Sequence, residues 1–252
     1  AGVASTLFFS EYLEGSSNNK YVEIFNGTGA SVDLSTYRVL VFANGSTTPG
    51  TPIVLSGTLT NGGTYVIANS SAALNTIATN LLSGSLNFNG DDAVALTNTL
   101  GGGYLDIIGQ IGNDPGTERG SGLNSTADNT IRRRPTVAAG DPVGSDAFTA
   151  PTNEWEGFAS DTAGDIGAHT FTPPSQPSFV AGYSNRAVGG TSQSVTGLAQ
   201  GVAYYYRVRA EGAASCTSPD STTATVTTVV STPAISFSAA SAASQSETNP
   251  AF

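Results

Sequence analysis

The chain has 252 residues, of which 11% are charged, 30 are glycine and 12 are proline, and its formal net charge is -10. That length allows one large or two small domains with real cores, the composition favours short strands and tight turns over amphipathic helices, and the charge argues against a broad nucleic-acid-binding surface. No apolar run approaches the roughly 18 residues that span a bilayer, and the single cysteine, Cys216, excludes a disulfide within the chain.

The start, Ala1-Gly-Val-Ala, suits a mature N-terminus after signal-peptide cleavage. From Thr6 onward short apolar segments recur in the order TLFFSEYL, KYVEIFN, TYRVLVFAN, TPIVLSG, GTYVIAN, DAVALTN and YLDIIGQIG. Several alternate with period two, as Tyr21, Glu23 and Phe25 do against Val22 and Ile24, which predicts strands with one buried face. Asn26-Gly27, Asn44-Gly45, Asn61-Gly62 and Asn89-Gly90 punctuate them, and Asn-Gly supplies the positive φ of tight turns. Antiparallel strands at this spacing predict a β-sandwich. Residues 71–82 are the one stretch compatible with a short helical turn.

LFFSEYLEGSSNNKYVEIFNGTGASVDLSTYRV resembles the opening of bacterial lamin-tail domains. DIIGQIGNDPGTERGSGLNSTADNTIRRRPTV, GDPVGSDAF and NEWEGFASDTAGDIGAHTF resemble the extension that follows in secreted members, so the likeness runs from about Leu7 to Phe171. The resemblance implies an all-β fold, an immunoglobulin-like β-sandwich, in residues 1–171. Some secreted relatives carry a nuclease domain elsewhere, and nothing in this chain resembles one.

Around Phe171-Thr-Pro-Pro-Ser-Gln-Pro the composition shifts, which marks a linker. VTGLAQGVAYYYRVRAEG then resembles the last strands of a fibronectin type III domain, with Val202, Tyr204, Tyr206 and Val208 facing inward, Tyr205, Arg207 and Arg209 outward, and Tyr204 at the tyrosine corner. Residues 172–230 are therefore read as a partial fibronectin type III-like sandwich, at about half the roughly 100 residues of a complete one. Its strands need partners from the first domain or from a neighbouring chain. Residues 231–252, with STPAISFSAASAASQSE, resemble the first strand of a Calx-β-like repeat and are read as a terminal strand or tail.

Asp91 and Asp92, in NFNGDDAVAL, read as the turn that opens a strand, with a metal site as the alternative. Neighbouring strand residues point to opposite faces, which argues against one ion shared by both carboxylates. Calcium is the ion these hard oxygen ligands would suit, with Asp141, Asp146, Asp161 and Asp165 in glycine-rich loops as further donors. Glu11, Glu14 and Glu23 are candidates for acid/base work or, as strand residues, for facing solvent or hydrogen-bonding to a loop. Glu154 and Glu156 flank Trp155, which is either a core residue or a sugar-stacking platform. His169 stands alone, so neither a multi-histidine zinc site nor a two-histidine mechanism can be built. Arg132, Arg133 and Arg134 are the one basic run, able to grip a phosphate or acidic partner, or to lie solvated beside aspartates. No nucleotide-cofactor fingerprint is present.

The combined reading is a secreted, extracellular or cell-surface bacterial protein without catalytic residues, structural or adhesive, and assembling with copies of itself by strand exchange. Two alternatives stand beside it: an accessory region of a secreted nuclease or other hydrolase, and a calcium-dependent module for an extracellular carbohydrate.

Overall fold

The computed structural model describes residues 3–74, 77–100, 102–148, 153–172, 179–184, 186–210, 218, 221–222, 224–229, 235–238 and 245–247, the last two stretches as backbone. The chain divides into two compact units, Ala1–Ser175 and Gln176–Phe252. Cys216 and most of the segment likened to a Calx-β strand lie outside the described residues.

The first unit contains β1 (Phe8–Glu14), β2 (Lys20–Phe25), β3 (Val32–Asp33), β4 (Tyr37–Phe42), β5 (Ile53–Val54), β6 (Thr58–Leu59), β7 (Thr64–Ala68), β8 (Leu81–Leu82), β9 (Ala93–Asn98), β10 (Gly103–Ile108), β11 (Gly120–Ser121), β12 (Asn124–Ser125), β13 (Asn129–Arg133) and β14 (Trp155–Ala159). Six of them form a sheet in the order β14-β13-β1-β2-β7-β8, and four form a second in the order β10-β9-β4-β5. The fold is all-β and immunoglobulin-like, as the strand pattern predicts. Residues 71–82, read as the site of a helical turn, contribute β8 instead; among the described residues the one helical turn is the 3-10 turn Leu34–Thr36, capped by the Asp33 carboxylate accepting from Ser35 N at 2.9 Å.

The two sheets close on one core. Phe9, Tyr12, Val22, Ile24, Ile67, Ile131 and Trp155 come from the six-stranded sheet, and Val39, Val41, Val94, Leu96 and Ile108 from the four-stranded one. Each fully buried side chain of this size contributes about 1.5–3 kcal/mol, against at most about 1 kcal/mol for an exposed ion pair, so apolar burial dominates the packing. Phe9 and Tyr12 are three residues apart, yet both face this core, because the β1–β2 register shifts between Phe9 and Glu11.

Strand alternation sends Phe8, Leu13, Tyr21, Phe25, Val66 and Ala68 to the other face of the six-stranded sheet, and that face is buried too. Ala72, Leu74, Ile77, Ala163 and Ile166 pack over one part of it, and Phe171 over another. A third layer built from two loop segments therefore explains why all seven residues of β1 are buried.

The Asn-Gly turns divide into two kinds. Gly45 and Gly62 adopt positive φ, 70° and 79°, as predicted. Gly27 and Gly90 do not; a Cβ would lie 2.8 Å from Phe25 Cε1 at Gly27 and 2.4 Å from the Ala127 Cβ at Gly90.

One sheet edge is covered. At β10, Ile111 N donates to Gly144 O at 2.8 Å and Asp141 N to the Asp106 carboxylate at 2.8 Å, which seats residues 140–144 along the edge. On the face of β14, Gly157 packs so closely under the β11–β12 hairpin that a Cβ would meet Leu123 O at 2.0 Å. Covered edges are the common protection against edge-to-edge aggregation.

The second unit holds β15 (Ser192–Val195), β16 (Ala203–Tyr206), β17 (Val208–Ala210), β18 (Ala224–Thr227), β19 (Ile235–Ser238) and β20 (Gln245–Glu247). They pair as three antiparallel ladders, β15–β19, β16–β18 and β17–β20. Tyr183, Val195, Leu198, Tyr204 and Tyr206 form the core. Tyr204 and Tyr206 face inward and Tyr205 outward, as the alternation predicts, whereas Val202, expected inside, precedes β16 and is 41% exposed. The Tyr204 hydroxyl accepts Ala199 N at 2.7 Å, the bond back to upstream backbone expected of a tyrosine corner.

Candidate functional site

The arginine run is the first place where sequence and structure part. Read as a basic patch or as a solvated stretch paired with nearby aspartates, it lies at the end of β13, where alternation splits its members; both Arg132 and Arg133 pair with an aspartate, but Arg133 is buried. Arg133 points between the sheets and is 3% exposed. Its Nη2 lies 2.5 Å from Asp106 Oδ2, Nη1 lies 2.7 Å from Glu154 Oε2, and Nε donates to Phe9 O at 3.1 Å. The guanidinium carbon stands 4.1 Å from the Trp155 ring centroid, a stacked cation–π contact. Asp106, fully buried, also accepts from Phe9 N at 2.7 Å and Asp141 N at 2.8 Å. Three of the five N–H donors of Arg133 are committed to protein acceptors, and Trp155, 0% exposed, offers no ring to a sugar.

Arg132 faces the opposite way. Its Nε donates to Glu11 Oε1 at 3.1 Å, its Nη1 pairs with Asp165 Oδ2 at 2.9 Å, its Nη2 donates to Thr162 O at 3.4 Å, and it covers the Phe158 ring at 4.1 Å. Arg134 is half-buried, and its backbone N–H donates to Glu154 O at 2.7 Å.

Beside Arg132 lies the most unusual electrostatic feature of the unit. Glu11 and Glu23, expected to face solvent or to bond to a loop, are 2% and 1% exposed and are register partners on β1 and β2. The third layer over this sheet face buries them. Ser10 Oγ donates to Glu23 Oε1 at 2.6 Å, and Gly167 N donates to Glu23 Oε2 at 2.6 Å. Burial pushes Glu11 up to about 8, with Arg132 pulling the other way. Burial likewise lifts Glu23 to about 7 against the bonds from Ser10 and Gly167. A cleft of about 290 Å³ opens here, lined by Glu11, Arg132, Glu156, Phe158, Asp165 and His169 among others. His169 is held down to about 4, first by burial and then by Arg133, and its ring lies edge-on to Phe25 at 4.7 Å. It is a neutral member of an aromatic cluster.

Asp91 and Asp92 open β9, which begins at Ala93, as expected of a polar turn. Asp92 accepts Asn44 N at 2.8 Å and Asn89 N at 3.0 Å. Both residues sit in a turn, and Asp92 is pushed up by burial first, with the Asp91 charge adding to it. Asp141 and Asp146 line a separate cleft of about 330 Å³ with Asn153 and Glu154. Asp141 accepts Val143 N at 2.9 Å and is pushed up by burial, with the Asp146 charge adding to it. Among the described residues no group of three or more His, Cys, Asp or Glu side chains is placed to hold a metal ion, so calcium gains no support from these positions.

Two charged positions escaped the sequence reading. Asp106 is the hub of the inter-sheet network, and its one signal is an aspartate within the apolar strand YLDII. Lys20 pairs with its cross-strand neighbour Glu14, Nζ to Oε1 at 2.5 Å, and also donates to Gly15 O at 2.5 Å.

Residues 2–112 match the family model for the Lamin Tail Domain. That match covers β1 to β10 and gives the immunoglobulin-like character of the first unit a family basis. It ends before β13 and β14, although these strands extend the sheet to which β1, within the matched residues, belongs. No curated protein and no solved structure matches the chain.

Proposed function

We propose that this is a secreted, non-catalytic structural or adhesive protein whose second unit assembles with copies of itself by strand exchange. The observation that carries the reading is the pairing in that unit: β19 and β20 supply partners to β15 and β17 in two separate two-stranded ladders. A segment that adds single strands to separate ladders through backbone bonds can be replaced by the same segment of a neighbour without loss of any bond. The first unit supports a scaffold role, because four of its buried charges are spent in the pairs Arg133–Asp106 and Lys20–Glu14. The likeness of residues up to Phe171 to secreted lamin-tail proteins, and of the Tyr204 region to fibronectin type III strands, points to the extracellular setting.

Ser194 and Ser236 are register partners. Cysteines placed at both, in a Cys216→Ser background, will on oxidation give covalent multimers if strands exchange. Internally bridged monomers alone would refute the exchange and leave the accessory-module reading in its place.

A further inference from the structure

Residues 162–170 cross the outer face of the six-stranded sheet as a strap, and polar bonds to two sheet residues fasten it. Gly167 N donates to Glu23, while Arg132 holds both Asp165 and Thr162 O. Apolar contacts from Ala163 and Ile166 complete the seat.

The charges around this fastening do not balance. Glu11 enters from β1, Glu23 from β2, Glu156 from β14 and Asp165 from the strap, against Arg132 and Arg133 from β13; His169 of the strap is neutral. Arg133 is already committed to Asp106 and Glu154. One guanidinium, that of Arg132, is left to face four carboxylates, and two of these, Glu11 and Glu23, are withdrawn from water on neighbouring strands. Carboxylates so placed hold a proton in preference to ionising together.

We propose that the strap is a pH-sensitive latch, closed while the Glu11–Glu23 pair retains a proton and released when both carboxylates ionise. Opening lets water reach the pair, so the open form ionises near the ordinary glutamate range, whereas the closed form holds Glu23 up to about 7 and Glu11 up to about 8. The closed form therefore binds more protons, and its advantage is lost as pH rises through that range. Release uncovers the cleft together with Leu13 and Tyr21, an apolar patch at the centre of the sheet that closure keeps dry.

The test is amide exchange by NMR on the full chain, reading the protection factor of Gly167 N–H from about pH 5.5 to about pH 9.5 after correction for the intrinsic rate. A fall of about tenfold or more between about pH 6.5 and about pH 9 is expected, since one unit of pKa difference is a factor of ten. The Glu11→Gln/Glu23→Gln variant should hold a flat profile. Constant protection in the wild type, or an equal fall in the variant, would overturn the latch. If the variant does not fold, side-chain carboxyl shifts of the wild type decide: titration of Glu11 and Glu23 near the ordinary value of about 4.3 contradicts it, and titration above about 6 supports it.

Discussion

Arg133 on β13 and Asp106 on β10 form a buried ion pair that joins the two sheets of the first unit, with side chains 1% and 0% exposed and 2.5 Å between Nη2 and Oδ2. Asp106 lies within the residues matched to the lamin tail domain, and Arg133 lies beyond them. A buried carboxylate of the matched segment is thus paired by the segment that follows it.

Removing one partner leaves the other as an uncompensated buried charge, which costs about 3–5 kcal/mol. Asp106→Ala and Arg133→Ala should each lower the urea stability of the first unit by that order. Trp155 is the sole tryptophan and sits in this core, so its fluorescence follows the transition directly. The double variant should recover part of the loss.

A chain ending at Gly112 lacks β13 and β14 and with them Ile131, Phe148 and Trp155 of the shared core. It should fail to melt cooperatively by circular dichroism, whereas residues 1–175 should show a single sharp transition. Equal cooperativity in both would mean that the extension is dispensable.

Gly157→Ala places a methyl 2.0 Å from Leu123 O, and backbone cannot yield as a side chain would. Overpacking of this kind costs about 1–3 kcal/mol or more. The hairpin should lift from the face of β14, and the urea midpoint followed by Trp155 fluorescence should fall accordingly.

The pH dependence of stability has two limbs of opposite sign. Glu11 and Glu23 are raised on folding, so their contribution is fully present below the ordinary glutamate range and is lost as pH climbs to about 8. His169 is lowered to about 4, so its contribution is present above its ordinary range and is lost as pH falls toward 4. Melting followed by Trp155 fluorescence should therefore be highest in mild acid. His169→Phe should flatten the acid limb, and Glu11→Gln with Glu23→Gln the alkaline one.

In the second unit Tyr204→Phe removes the hydroxyl that accepts Ala199 N. The expected loss is about 1 kcal/mol, visible in a tyrosine-reported transition and absent from the Trp155 signal.

Much of the sandwich was legible in local pattern. KYVEIF, YRVLVF and TYVIA alternate as their strands do, and Asp92 opens β9 where NFNGDDAVAL places the turn. The burial of Glu11 and Glu23 was not, because the cover over their face comes from residues 162–171, a Gly- and Asp-containing stretch with no periodicity of its own. The arginine run misled for a related reason. Three consecutive cations read as one patch until NTIRR is recognised as a strand, after which alternation alone separates Arg132 from Arg133. The partners of β15 and β17 were missed because their strands lie in a segment that local resemblance had set apart.

The most direct test of the assembly is cryo-electron microscopy of the protein as isolated from its producer. The account predicts regular polymers in which the strands against Ser192–Val195 and Val208–Ala210 come from a neighbouring chain. Monomers that keep those ladders within one chain would contradict it.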